Sequence, residues 1–565
     1  MTARSADALS RHVVVCGLGH VGFRVASLLS RLGEPFAVIA GSTRDEWRSA
    51  VAGLAPLLSG DARDERLLRA AGIERARVVL AVTDDDRANV SIALDAKRLN
   101  PSIAVVVRLF DQQLAPLLEG SLGNARALSA SALAAPGFVA AALGAGALGA
   151  FEFFGRSGLI EEIAVGGSES RTSRTIGSLL SEASRGDVVA VIARHRDREV
   201  VLAPDSATPV AAGDRVTVAR VAGREEPSSH GPRSRVVEAA LALFGGLREW
   251  WRETPFVLRA LLAVLTAIVL ASVVFFHVAL GLAPVDALYF VVTTVTTTGY
   301  GDFNLMAASW YVKVYGMLVM LSGAALFAVL VSIATDLVVS TRLADVLARG
   351  RSRRQGHIVV VGIGTVGYRV VRELKRRGET VVAIEHKETS EFVEAARSLA
   401  TVVVGNARAE ETQRRAGLTG AKAVVAVTDD DLTNLGIGLA AKQAHSGCRV
   451  VLRVFDGALA EKMRGRLDVA AVLSASGIVA PTFVGAVLCP ETLSGFVLGD
   501  HLVVLFHRKA GTAPALPCGA AEEHLLLVRR NGEAGLRALA AGEQLGADDD
   551  VLGVRWFPLA SSSIA

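Results

Sequence analysis

One long segment of this chain occurs twice. "HVVVCGLGHVGFRVASLLSRLGE" from His12 aligns with "HIVVVGIGTVGYRVVRELKRRGE" from His357, an offset of 357 − 12 = 345. The same offset pairs "AVTDDDRAN" at Ala81 with "AVTDDDLTN" at Ala426, and "VRLFD" at Val107 with "LRVFD" at Leu452. It also pairs "LSAS" at Leu128 with "LSAS" at Leu473, and Pro136 with Pro481, without a gap. Whatever one copy folds into, the other must too, and the stretch between them has to be a separate structure.

Each copy alternates short β-branched apolar runs with amphipathic stretches, the pattern of a parallel sheet covered by helices. In the second copy "HIVVVG" reads as a strand and "GTVGYRVVRELKRRG" as a helix with Val366, Val370, Val371 and Leu374 on one face; "TVVAIE" reads as the next strand. Gly362, Gly364 and Gly367 stand at the strand-to-helix turn in the GxGxxG arrangement. There they permit a tight turn, approach of a pyrophosphate to the backbone, and close packing of helix on strand. Glu385 ends the second strand, where a ribose hydroxyl would be held. The first copy keeps Gly17, Gly19 and Gly22 but has Ala40 in the place of Glu385. It would therefore bind a phosphate-bearing ligand differently, or use its glycines for the turn alone. The triplets Asp84 to Asp86 and Asp429 to Asp431 follow strands, where helix capping is the expected role and a divalent ion the alternative.

Neither copy carries GxSxG, HExxH or a histidine placed beside a nicotinamide, so no catalytic residue is assigned and an enzyme is not expected. His12 and His357 read as solvated strand starts. Cys16, Cys448, Cys489 and Cys518 lie far apart without metal-ligand spacing, which predicts reduced, buried thiols and no metal site. A net charge of +4 is too small and dispersed for nucleic acid. After the first copy, "GLIEEIAV", "GDVVAVIARHRDREVVLAP" and "AAGDRVTVARVAG" predict a small β-rich lobe; after the second, "HLVVLFHR" and "HLLLVRR" predict a more divergent one.

Although 51% of residues are hydrophobic, 21% are charged, so the apolar residues are concentrated rather than spread. They gather between the copies. A Pro- and Ser-containing linker from Gly223 leads into "VVEAALALFGGLREWWRE", an expected interfacial helix beside a membrane. Phe256 to Leu280 and Trp310 to Val339 are each long enough to span one. Arg248, Arg252 and Arg259 precede the first span, and Arg342, Arg349, Arg351, Arg353 and Arg354 follow the second. The intervening loop has Asp286 and Asp302, with no Lys or Arg before Lys313. The positive-inside rule then places both copies, and both termini, in the cytoplasm. The amino terminus, which lacks an apolar leader, agrees with that side.

Between the spans lies "VDALYFVVTTVTTTGYGDF". It reads as a short re-entrant helix over residues 285–296 followed by an extended segment. Irregular backbone at membrane depth is tolerated only when buried in protein or lining a watery path. "TTGYGD" resembles the selectivity filter of potassium channels, and with the duplicated glycine-turn modules the chain resembles a two-span potassium channel with RCK (TrkA-N/TrkA-C-like) regulatory domains. The resemblance runs from His12 to about Pro490 and thins in the final lobe.

That resemblance implies a mixed fold: two Rossmann-like α/β regulatory modules, each with a small β-rich lobe, flanking an α-helical two-span pore domain. The implied divisions are residues 12–140 and 151–222 for the first module, 223–255 for linker and interfacial helix, 256–340 for the pore, and 357–485 and 490–560 for the second module. Thr297, Thr298, Gly299, Tyr300 and Gly301 would form the filter. Asp302 would brace its mouth, with Thr298 departing from the usual Val or Ile. Gly323 would be a gating hinge, or a close-packing site. Four chains would surround one axis in membrane lipid, conduct K+, and carry a cytoplasmic ring gated by a regulatory nucleotide, NAD(H) or ATP/ADP. A membrane-tethered NAD-binding sensor, or a regulatory component of potassium transport without its own conduction, is the alternative.

Overall fold

The structure, a computed structural model, describes residues 9–111, 113–144, 146–154, 156–166, 174–184, 187–196, 199–221, 256–339, 355–455, 457–463, 469–512, 522–533, 535–539 and 543–560. The expected interfacial helix, its linker, residues 340–354 of the arginine-rich connector, and Cys518 lie outside them. The chain divides into two compact units: Met1–Pro227 with Arg354–Ala565, and Ser228–Arg353.

In the first unit each copy builds a six-stranded, all-parallel sheet. Copy one runs Leu57–Ser59, Phe36–Ala40, Val13–Cys16, Val78–Ala81, Ala104–Arg108, Ala125–Leu128 across the sheet. Copy two runs Thr401–Val404, Val381–Glu385, His357–Val361, Ala421–Ala426, Arg449–Arg453, Ala471–Leu473. The β-branched runs are buried on both faces, as a parallel sheet covered by helices requires. In this order the chain reverses direction across the sheet beside the first strand, and a crevice opens at the strand ends there. Helices His20–Arg31 and Thr365–Arg376 leave the glycine turns at that point.

The two copies are interlocked. Helix Ala130–Leu143, which follows the first sheet, packs against Thr365–Arg376 of the second copy; helix Ala475–Leu488 packs against His20–Arg31 of the first. Both exchanged helices are apolar on nearly all sides, because each is enclosed by both copies. One hydrophobic core results, holding Val25, Leu29 and Phe138 together with Val370, Leu374 and Phe483.

Each copy is followed by a five-stranded antiparallel sheet, and the two sheets share a core that includes Phe153, Ile192, Phe496 and Trp556. The final lobe is thus β-rich like its counterpart, despite its divergent sequence. His12 and His357 correct the sequence reading. They are fully buried rather than solvated, with Nε2 at 2.8 Å from the Ala71 carbonyl and 3.0 Å from the Ala416 carbonyl. Each strand start is closed off by the C-terminal end of a helix, Glu65–Ala70 or Glu410–Arg415, whose capping carbonyl gives the imidazole a backbone partner in place of water. Burial pulls the His12 pKa below its ordinary value. Cys16, Cys448 and Cys489 are free and buried as expected, and burial pushes Cys16 and Cys489 up to about 12.

The second unit holds Phe256–Leu280, Pro284–Val295 and Trp310–Val339 as helices. Arg259–Leu280 and Trp310–Val329 are long and apolar enough to cross a membrane. The short middle helix begins with Pro284, whose fixed φ suits a first helical turn and whose missing N–H leaves no orphan there. It buries Ala287, Phe290, Val291 and Val295 against Phe276, Val312 and Val319 of the two long helices.

Candidate functional site

The threonine row that follows the short helix supplies its own hydrogen bonds. Thr293 Oγ1 donates to the Tyr289 carbonyl at 2.9 Å, Thr294 Oγ1 to Phe290 at 2.6 Å, and Thr296 Oγ1 to Val292 at 2.8 Å. The N–H groups of Thr298 and Gly299 both reach the Thr293 carbonyl. Polar side chains are thereby accommodated among apolar helices without water.

Beyond the helix the backbone alternates in hand. Thr297, Gly299 and Gly301 have φ of 60°, 50° and 82°, whereas Thr298 and Tyr300 between them do not enter the left-handed region. Alternation of this kind turns every second peptide over, so successive carbonyls can face one side instead of alternating as in a strand. A Cβ on Gly299 or Gly301 would meet nothing within 4 Å, so φ, not crowding, requires glycine. Thr297 holds its left-handed φ despite a branched Cβ, which costs roughly 1–2 kcal/mol. The helix aims its partly negative C-terminal end at this segment, which favours a cation. The Asp302 carboxylate, at the segment's far end, accepts from Phe303 N at 3.2 Å. Gly323 lies within the unbroken helix Trp310–Val339, and a Cβ there would come within 2.9 Å of Val295 Cγ2. Close packing is therefore one use of this glycine.

In the first unit, the glycine turns of both copies are built alike. Gly17 and Gly362 have φ of 107° and 91°. A Cβ on Gly22 or Gly367 would lie 2.0 Å or 1.8 Å from the carbonyl oxygen of Gly17 or Gly362, so the third glycine is fixed by helix-on-strand packing. A Cβ on Gly19 or Gly364 would meet nothing within 4 Å. The middle glycine thus faces open space at a helix N-terminus, the place a pyrophosphate would take.

The copies differ at the second strand. Glu385 accepts from Ile363 N at 2.6 Å and His386 N at 2.8 Å, which fixes its carboxylate at the rim of a cleft of about 650 Å³ over Gly362 and Gly364. This geometry fits the adenosine ribose and pyrophosphate of a dinucleotide. In copy one Ala40 is buried, and Arg48 instead joins the Gly41 carbonyl to Ser59 Oγ across the strand ends. A methyl group thus stands in copy one where copy two has the Glu385 carboxylate.

The aspartate triplets cap. Asp85 accepts from Arg87 N and Asp430 from Thr433 N, while Asp86 and Asp431 accept from Phe110 N and Phe455 N. Among the described residues no cluster of His, Cys, Asp and Glu has the composition of a metal site.

Sequence reasoning missed four residues. Asn89 and Asn434 are fully buried; each accepts from its threonine, Thr83 or Thr428, and donates to the carbonyl of Arg108 or Arg453. Arg108 and Arg453 are themselves desolvated, Arg453 to a pKa of about 10. The available signal was their recurrence at the 345-residue offset.

The chain thus combines two parallel-sheet modules of dinucleotide-binding type with a unit in which a short helix and a threonine- and glycine-rich segment lie in sequence between two long apolar helices. The TrkA-N domain family matches residues 13–129 and 358–475, and the ion channel family matches residues 263–340. Residues 13–129 and 358–475 are thus similar to TrkA-N domains, and residues 263–340 to an ion channel domain. The voltage-gated potassium channel Kch of Escherichia coli is 24% identical over 232 residues, 40% of this chain and 53% of that protein. A Trk system potassium uptake protein TrkA homolog of Pyrococcus horikoshii is 34% identical over 103 residues, 18% of this chain and 44% of that protein. The match thus spans about half or less of these curated relatives. The solved GsuK channel superposes with a TM-score of 0.51 at 14% identity, covering 97% of this chain and 77% of its own; a form bound to NAD gives 0.50. At that identity the likeness is one of fold.

Proposed function

We propose that four copies of this chain form a potassium channel in the cell membrane, with both termini cytoplasmic, gated by a nucleotide in the RCK modules. The observation that carries the reading is the alternating backbone at Thr297, Gly299 and Gly301, held at the end of a re-entrant helix between two spans. One such segment cannot surround an ion, and Tyr300 is 72% exposed on the single chain, which supports packing against further copies. Four sets of carbonyls from Thr297 to Tyr300 would replace the hydration shell of K+, with the Thr297 hydroxyl at the inner end. Thr298 in place of an aliphatic residue leaves this ladder possible, and its Oγ1 lies 2.9 Å from Thr296 Oγ1.

For gating, the crevice over Gly362 and Gly364 would take the pyrophosphate, and Glu385 would accept from the ribose of NAD(H) or an adenine nucleotide. Such a ligand moves the pore only if it binds the open and closed forms with different affinity. The bend needed in the inner helix would fall at Gly323.

Potassium flux from liposomes tests conduction. The wild-type chain should give K+-selective flux, and Gly301→Ala should abolish it, because alanine resists a φ of 82°. Equal flux from the variant, or none from a correctly assembled wild-type tetramer, would overturn the reading in favour of a non-conducting sensor. Calorimetry on the full chain in detergent tests the crevice. Glu385→Ala should weaken NAD(H) or adenine-nucleotide binding tenfold or more, and unchanged affinity removes Glu385 from the site.

A further inference from the structure

A cavity of about 510 Å³ lies between copy one, its β-rich lobe and the copy-two helix Thr365–Arg376, with neither glycine turn in its lining. Apolar residues such as Leu128, Leu133 and Phe151 share that lining with Arg126, Arg372 and Arg376. The duplication provides a comparison within the molecule. The 345-residue offset, which also relates the strands Ala147–Phe153 and Thr492–Leu498, matches Arg126, Glu152, Glu373 and Arg377 to Ala471, Val497, Leu28 and Leu32. Those four apolar residues pack in or against the shared core, so the opposite face is built without the charges found here. Arg376 is matched by Arg31, and there the face is covered by the end of the chain itself. Phe557 and Leu559 are buried in the core, Ala560 N donates to the Arg31 carbonyl at 2.8 Å, and Arg31 Nε donates to the Ala560 carbonyl at 3.2 Å. Where this face is covered, then, an extended segment covers it.

The charges say what kind of segment suits the open face. Five arginines and four carboxylates line the cavity, and three of the carboxylates are engaged. Glu373 pairs with Arg377 at 3.1 Å and Arg376 at 3.6 Å, Glu119 accepts from Ala127 N at 2.8 Å, and Asp111 accepts from Gln113 N at 2.8 Å. Arg372, which stands where copy one has Ser27, is exposed and makes no ion pair among the described residues. Arg126 Nη2 donates to the Thr492 carbonyl at 2.9 Å, while its buried Nε has no partner among the described residues. A buried N–H without an acceptor is costly, and a carboxylate brought to it forms a charge-assisted bond.

We propose that this cavity seats an acidic, extended peptide segment, whose backbone pairs with Arg376 as Ala560 does with Arg31 and whose carboxylates are taken by Arg372 and Arg126. The seat depends neither on conduction nor on nucleotide binding. Two sources have this chemistry: a partner protein, and Glu225 with Glu226 of this chain, which follow the strand Arg215–Val221 in sequence.

The test titrates the full chain in detergent with the capped peptide acetyl-Ala-Leu-Glu-Glu-Ala-amide, with its counterpart carrying two lysines in place of the glutamates, and with free glutamate. Each is added to the wild-type chain and to a Glu225→Gln, Glu226→Gln double variant. The acidic peptide should bind, and the lysine peptide should not. Binding to the wild-type chain supports the seat with a partner as its source; binding that appears only in the double variant supports the seat with this chain's own glutamates as its source. Arg372→Glu should lower the affinity at least tenfold, and Arg372→Lys, which keeps the charge, should retain part of it. No binding to either protein, equal binding of the lysine peptide, or affinity untouched by Arg372→Glu at a wild-type melting temperature overturns the proposal. Displacement of the peptide by an equal concentration of free glutamate overturns it too, because the site would then take a small anion and not an extended segment.

Discussion

At the scale of single residues, the three glycines of each turn do three different jobs. The first supplies a left-handed φ, the third admits a carbonyl where a Cβ would be, and the second keeps space open. Two substitutions of identical chemistry should therefore part company. Gly367→Ala places a carbon 1.8 Å from the Gly362 oxygen and must push the helix off the strand, costing about 2–3 kcal/mol. Gly364→Ala meets nothing and should leave the melting temperature within a degree or two of wild type while weakening nucleotide binding. Thermal unfolding and calorimetry on the same two proteins check this. A fall in stability for Gly364→Ala, or none for Gly367→Ala, would contradict the geometry.

At the scale of elements, periodicity made most of the parallel sheets legible. Runs such as "HIVVV" are β-branched throughout because both sheet faces are covered, and the glycine turn fixes where each helix starts. The alternating backbone of residues 297–301 was legible for another reason: glycines at alternate positions, Gly299 and Gly301, suit a chain whose hand alternates. What the sequence did not disclose is long-range partnership. Nothing local to His12 tells that the Ala71 carbonyl will enclose it, and nothing near Ala130–Leu143 names Thr365–Arg376 as its neighbour. The same holds for His20, which stacks on Phe455 of the other copy.

That contact has a pH dependence. Burial, with repulsion from Arg44, Arg453 and Arg24 exceeding attraction from Asp431, lowers His20 to about 4. In the unfolded chain it titrates near 6.5, so below that pH the unfolded state binds the proton first. The contribution of this neutral stacked histidine is full above 6.5 and is lost as pH falls toward 4. The melting temperature should drop between pH 7 and pH 5, and His20→Gln should flatten that part of the profile. A profile unchanged by the substitution would assign the loss to other groups.

At the scale of the whole molecule, a segment with two long apolar helices lies in sequence between two modules that are one unit in space. The exchanged helices mean that neither module can bury its own apolar surface alone: Phe138 and Val139 complete a core with Val366, Val370 and Leu374 across the duplication. The β-rich lobes repeat the arrangement through Phe153, Phe496 and Trp556. Under the proposed function, strain induced by a ligand in one copy would therefore be felt in the other through the shared core. Phe138→Ala, at a position with 0% exposure, should cost about 3–5 kcal/mol. The loss should register equally in both copies. Hydrogen exchange in rising denaturant would show amides of Val13–Cys16 and of His357–Val361 losing protection together, in wild type and at the same lowered concentration in the variant. If the strands of copy two kept their wild-type protection while those of copy one opened, the interlocked core would not be the cooperative unit.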